Sequence, residues 1–147
     1  MPDTASTENP FGNSISTEDI LDTLGFFDSW EDRYKYIIDL GKDLPPMADS
    51  LHTEDRLVRG CQSQVWIDTA MQGGRLQLTV DSDAFIVKGL LGLVLAAYNN
   101  KTPAEIAGFD IDHYFEQLDL LRHLSSTRGN GLRAMVQRIQ GIARESN

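Results

Sequence analysis

The chain has 147 residues, 13 basic and 22 acidic, for a net charge of -9. That length suits one domain with its own core, and the acidity disfavours a phosphate backbone or an anionic membrane as partner. A single cysteine excludes an internal disulfide framework, residues 1–8 lack the basic start and apolar run of a signal peptide, and the apolar stretch at residues 89–97 is too short to span a bilayer. A cytoplasmic location is therefore expected.

Residues 1–14, rich in Pro, Ser, Thr, Asn and Gly, are expected to form a disordered tail ahead of one domain over residues 15–147. A first helix should start near Ser16 or Thr17, with Ile20, Leu21, Leu24 and Phe27 on one face. A second should be capped by Ser29 with Asp32 three residues on, carry Trp30, Tyr34, Ile37 and Ile38 at helical i, i+4, i+7, i+8 spacing, and end by Leu44-Pro45-Pro46.

The periodicity then changes to two. Residues 63–72 and 75–81 alternate around Gly73-Gly74, which predicts an antiparallel hairpin with a two-residue turn. That turn sets Gln72 opposite Arg75, Met71 opposite Leu76, Thr69 opposite Leu78 and Ile67 opposite Val80. A short strand near residues 57–59 is also expected. Asp81, Ser82 or Asp83 should cap a helix that is apolar nearly all round and therefore central, with Lys88 reaching out of it to the surface. Thr102-Pro103 opens a short helix, a further one covers Asp112 to Leu118, Ser125 to Asn130 reads as a polar loop, and a last helix runs from about Gly129 to Arg144. The order of elements predicts an α+β domain, a small antiparallel sheet packed against several helices.

Cys61 is the main candidate for chemistry. A lone cysteine is most simply a buried, inert thiol. This one follows Gly60 at the loop end of a strand, outside any apolar run, and Arg59 is adjacent to favour a thiolate. With no resolving partner in the chain, a reactive Cys61 would act alone or exchange with another protein, which suits a covalent carrier better than a disulfide oxidoreductase. Two alternatives stay open here: a cysteine-dependent hydrolase or peroxidase, and a binding module with an inert thiol. No pair among Cys61, His52, His113 and His123 has metal-ligand spacing, and neither glycine-rich stretch carries the Lys and spacing of a phosphate loop. Neither a metal nor a nucleotide is expected.

Gly60-Cys61-Gln62-Ser63-Gln64-Val65-Trp66-Ile67 resembles the signature of the SufE family, sulfur acceptors for cysteine desulfurases in iron–sulfur cluster assembly. Asp81-Ser82-Asp83-Ala84, Ile86-Val87-Lys88-Gly89, Ser126-Thr127-Arg128 with Gly131-Leu132, and the stretch from Trp30 through Leu44-Pro45 are similar to that family too, in the same order. The resemblance implies a SufE/IscU-like fold, with Cys61 taking a persulfide sulfur from a SufS-like desulfurase, stimulating it, and passing the sulfur to an Fe–S scaffold. The pyridoxal phosphate of the reaction would belong to the partner, and this chain would bind no cofactor. Gln62 and Gln64 favour the SufE branch over the related CsdE branch, which would serve another recipient. By the same resemblance Asp83 lies beside the cysteine loop, Arg128 stabilises a thiolate or contacts the desulfurase, and His123 lies near Arg128. Monomer and homodimer are both compatible with the sequence. The hairpin is expected to anchor the strand side of the Cys61 loop and leave the Gly60 side freer to move.

Overall fold

The computed structural model describes residues 9–60 and 63–146. Among these it is an α+β domain of six α-helices and one two-stranded antiparallel sheet. The strands are β1 (Val65–Gln72) and β2 (Arg75–Ser82), paired in the expected register, with Gln72 opposite Arg75 and Ile67 opposite Val80. Gly73 and Gly74 both have positive φ, 60° and 79°, the backbone that a two-residue turn between right-twisted strands requires. Leu76, Leu78 and Val80 of β2 face the core with Val65 and Ile67 of β1. The expected third strand is reduced to a single bridge from Leu57 to Trp66.

Helix α1 (Thr17–Leu24) starts at Ser16, whose hydroxyl accepts the Asp19 N–H while the Asp19 carboxylate accepts the Ser16 N–H. Helix α2 (Trp30–Gly41) starts at Ser29, whose hydroxyl accepts the Asp32 N–H. Helix α3 (Phe85–Tyr98) is the centre of the molecule, buried at every position from Gly89 to Tyr98. Two glycines let α2 and α3 touch backbone to backbone. A Cβ on Gly89 would stand 2.1 Å from the Ile37 carbonyl oxygen, and one on Gly41 2.7 Å from the Gly89 nitrogen.

None of Asp81, Ser82 and Asp83 caps α3. Its N-cap is Ala84, without a side-chain cap bond. The Ser82 hydroxyl accepts the N–H of Ala84 itself, and the two carboxylates are engaged elsewhere. The short α4 (Pro103–Gly108) has the reciprocal Thr102–Glu105 cap, and α5 (Ile111–Leu118) begins at Asp110. Helix α6 (Ser126–Glu145) starts earlier than expected. Ser125 caps it by accepting the Arg128 N–H, so residues 126–130 are its first turn and not a loop. Gly131 and Leu132 are buried, and packing of this face outweighs the low helix propensity of Gly129-Asn130-Gly131.

The expected tail is also shorter than residues 1–14. Phe11 is fully buried, and its carbonyl accepts from the buried Asn99 amide at 2.9 Å. The Asn99 side-chain oxygen accepts the Leu78 N–H at 2.7 Å, and Asn9 donates to the Leu78 carbonyl at 3.2 Å. One buried amide thus joins the N-terminal segment, α3 and β2. The rest of the expected tail, residues 1–8, lies outside the described residues.

Candidate functional site

The stretches before and after position 61 are joined by one narrow neck. The Val58 N–H donates to the Val65 carbonyl at 2.8 Å, and the Ile67 N–H donates to the Arg56 carbonyl at 2.9 Å. Val58 and Val65 are both buried, so this neck is fixed in the core. Arg59 and Gly60 continue from one arm of the neck, and Ser63 and Gln64 lead into the other. Cys61 and Gln62 lie outside the described residues. On the Gly60 side the neck is held through Val58, two residues before Gly60.

Gly60 has φ +93°, a conformation that L side chains rarely adopt. A Cβ there would meet the Ala134 Cβ at 3.5 Å, ordinary van der Waals contact. The glycine is needed for its backbone angle and not for space.

On the strand side, Asp83 extends the hairpin one step beyond the Val65–Ser82 pair. Its carboxylate accepts the Gln64 N–H at 3.0 Å, and its own N–H donates to the Gln64 carbonyl at 3.3 Å. The sequence-predicted pair Gln64 and Asp83 is therefore brought into direct contact. Arg128 is brought to the same place from α6. With Ser63, Val65, Val87, Thr127 and Met135 it lines a cavity of about 20 Å³, room for about one water. A cation in the first turn of α6 thus faces the arm that leads from Cys61 into β1.

His123 lies in a single 3-10 turn, Leu121–His123. Its ring stacks on Trp30 at 4.2 Å with the planes 9° apart, and Nε2 is 3.5 Å from the Asp119 carboxylate. Those partners belong to α2 and to the end of α5, so His123 joins the helices and is not brought to the neck.

Several groups near the site are joined in ways the sequence did not show. His52 Nε2 lies 2.7 Å from the Asp81 carboxylate, and its ring meets Trp66 edge-on at 4.5 Å. The hydrogen bond to Asp81 raises the His52 pKa above its ordinary value. Lys88 reaches out of α3 to within 3.6 Å of the same carboxylate. This cluster borders an open groove of about 410 Å³ together with Lys42, Pro46 and Phe85. Arg56 pairs with Asp68 of β1 at 2.7 Å. No periodicity links residues so far apart in the chain, and only the tertiary fold joins them. Among the described residues, no three His, Cys, Asp or Glu side chains are grouped to hold a metal ion, and no helix is long and apolar enough to cross a membrane.

These features define a class: a small α+β domain that holds a short loop by both arms at the end of a hairpin, with a cationic helix turn beside it. The family model for SufE, described as an Fe–S metabolism associated domain, matches residues 18–143, and the chain belongs to the SufE family. It is 45% identical over 133 residues to an uncharacterized SufE-like protein of Rhizobium etli, covering 88% of this chain and 90% of that one. A second SufE-like protein, from Rhizobium meliloti, is 44% identical over 132 residues, covering 87% and 94%. The solution structure of a hypothetical protein from Thermus thermophilus superposes with a TM-score of 0.63 over 88% of this chain and 94% of that one. At 19% identity that likeness is one of fold.

Proposed function

We propose that the protein is a cytoplasmic sulfur acceptor that takes a persulfide sulfur from a cysteine desulfurase onto Cys61 and hands it to an Fe–S scaffold. The observation that carries this reading is the closed neck at Val58 and Val65: in a chain of the SufE family, the residues on either side of the only cysteine in the sequence are bonded to each other in the core. The Cys61 thiolate attacks the terminal sulfur of the partner's cysteine persulfide. A new S–S bond forms at Cys61, the old one breaks, and the partner's cysteine leaves as a thiolate. The proton on the transferred sulfur goes with it or exchanges with water, and no outside oxidant or reductant is needed. Freeing the partner's cysteine for another turnover is how the acceptor stimulates the desulfurase.

The chain's own residues supply position and charge. Asp83 fixes Gln64 and so the strand arm of the loop. Arg128 provides a cation beside Ser63, where it favours a thiolate or persulfide anion over the neutral thiol. Pyridoxal phosphate is assigned to the desulfurase, and no cofactor is assigned to this chain. The test is to mix the protein with its desulfurase and L-cysteine and take an intact mass under non-reducing conditions. Wild type is expected to gain sulfur and Cys61→Ser none. A wild-type protein that gains no sulfur and leaves the desulfurase rate unchanged removes the reading.

A further inference from the structure

We propose that Arg138 is the residue that positions the entering arm of the Cys61 loop, an inference that rests on the sulfur-acceptor reading above. Arg138 lies in the second half of α6, far in sequence from the loop. Its Nη1 donates to the Leu57 carbonyl at 3.3 Å, and its Nη2 donates to the Asp55 carbonyl. Leu57 directly precedes Val58, whose N–H closes the neck. The residue between the two acceptors, Arg56, is held from the other side. Its carbonyl accepts from Ile67, its Nε bonds the Asp68 carboxylate at 2.7 Å, and its Nη1 bonds the Thr53 hydroxyl at 2.8 Å. Residues 55–57 are thus gripped between β1 and α6. Arg138 takes two carbonyls that no strand pairs.

The same face of α6 meets both arms of the loop, at Gly60 and at Ser63. Ala134, one turn before Arg138, stands against Gly60. Gly131 and Arg128, about one and two turns further back, line the cavity shared with Ser63. One rigid helix therefore carries the anchor for the entering arm, the contact at Gly60 and the cation beside the leaving arm. Arg138 sets the distance between the entering arm and Arg128. A guanidinium suits this role because its planar fork donates to two acceptors at once. A lysine ammonium offers a point charge on a flexible stem.

The test uses full-length protein, its desulfurase and L-cysteine, and two readouts. Amide hydrogen exchange reads the neck, and the rate of sulfur loading on Cys61 reads the chemistry. In Arg138→Ala, exchange at the Val58 and Ile67 amides is expected to rise about tenfold or more, the loss of a charge-assisted hydrogen bond. Exchange at Leu90 and Leu93 in α3 should stay within about twofold, since those amides report global opening. Sulfur loading should slow by about tenfold, and Arg138→Lys should lie between wild type and Arg138→Ala in both readouts. Unchanged Val58 exchange, or loading at the wild-type rate, in Arg138→Ala overturns the inference. So does a rise in Leu90 exchange equal to that at Val58, which makes Arg138 a staple of the whole fold. If wild type itself takes no sulfur, the functional reading fails, and the exchange comparison still decides whether Arg138 holds the arm.

Discussion

Asp83 and Gln64 are bonded in both directions: the carboxylate accepts the Gln64 N–H at 3.0 Å, and the Gln64 carbonyl accepts the Asp83 N–H at 3.3 Å. One residue beyond the end of the sheet, a side chain substitutes for a strand partner. Removing the carboxylate should free the strand arm of the loop and leave the hairpin intact. In Asp83→Ala the Gln64 amide is expected to exchange about tenfold faster, with the melting temperature lowered by no more than about 2 °C because the site is exposed. Asp83→Asn keeps an acceptor oxygen and should fall between the two. Equal exchange in all three proteins would show that the carboxylate does not hold Gln64.

Gly60 makes a different demand on the same loop. At φ +93° a side chain is strained whatever the room around it, and the 3.5 Å approach to Ala134 shows that room exists. Gly60→Ala should therefore cost about 1–2 kcal/mol through backbone strain alone. Gly60→Asn should cost less, because asparagine tolerates positive φ better than alanine. Denaturant midpoints of the two variants measure the difference. An alanine variant as stable as wild type would mean that the loop relaxes to another backbone conformation.

Much of this was legible before the structure. The hairpin register followed from two glycines between alternating runs, because a two-residue turn leaves one way to put Leu76, Leu78 and Val80 on the core side. The caps at Ser16, Ser29 and Thr102 were readable because each has an acidic residue three positions on. At the start of α6 that signal is missing. Arg128 stands where Ser125 would have an acidic partner, and Gly129-Asn130-Gly131 reads as a loop until the packing of Gly131 and Leu132 is seen. Of the neck, only the short strand expected near residues 57–59 was legible, and it shrinks to the Leu57–Trp66 bridge. Val58 and Val65 are too few residues to show a periodicity, and Arg138 joins the neck from 81 residues beyond Leu57. Asp81 and Asp83 showed the helix-cap chemistry, and tertiary partners took both carboxylates before α3 used either.

His52 gives the region a pH dependence whose sign is fixed. Its hydrogen bond to Asp81 raises the folded-state pKa above the ordinary 6.5, with the Asp49 carbonyl as a lesser partner. Lys88 shares the Asp81 carboxylate, 3.6 Å from its other oxygen. A raised folded pKa means that the stabilisation is present in full below 6.5 and is lost as the pH rises through the folded value. His52→Gln should therefore be less stable than wild type at about pH 6, and the gap should narrow by about pH 9. Urea denaturation of both proteins at the two pH values checks this. A gap that widens with pH would assign the neutral imidazole to the bond.

Phe11 and Gly92 should be coupled, because each exists in its present form on account of the other. A Cβ on Gly92 would lie 3.0 Å from two atoms of the Phe11 ring, and that ring is fully buried with little freedom to give way. Phe11→Ala should cost about 3–5 kcal/mol, the usual range for emptying a phenylalanine site, and would show that the N-terminal segment belongs to the core. Gly92→Ala alone should destabilise the protein, since the clash outweighs the roughly 0.5–1 kcal/mol that alanine contributes over glycine within a helix. In the Phe11→Ala background the obstacle is gone. The same Gly92→Ala change should then become stabilising by up to about 1 kcal/mol, through helix propensity and partial filling of the cavity. A double-mutant cycle from denaturant unfolding measures the change of sign. Simple additivity would mean that the ring shifts freely and that the glycine is not required by its contact with Phe11.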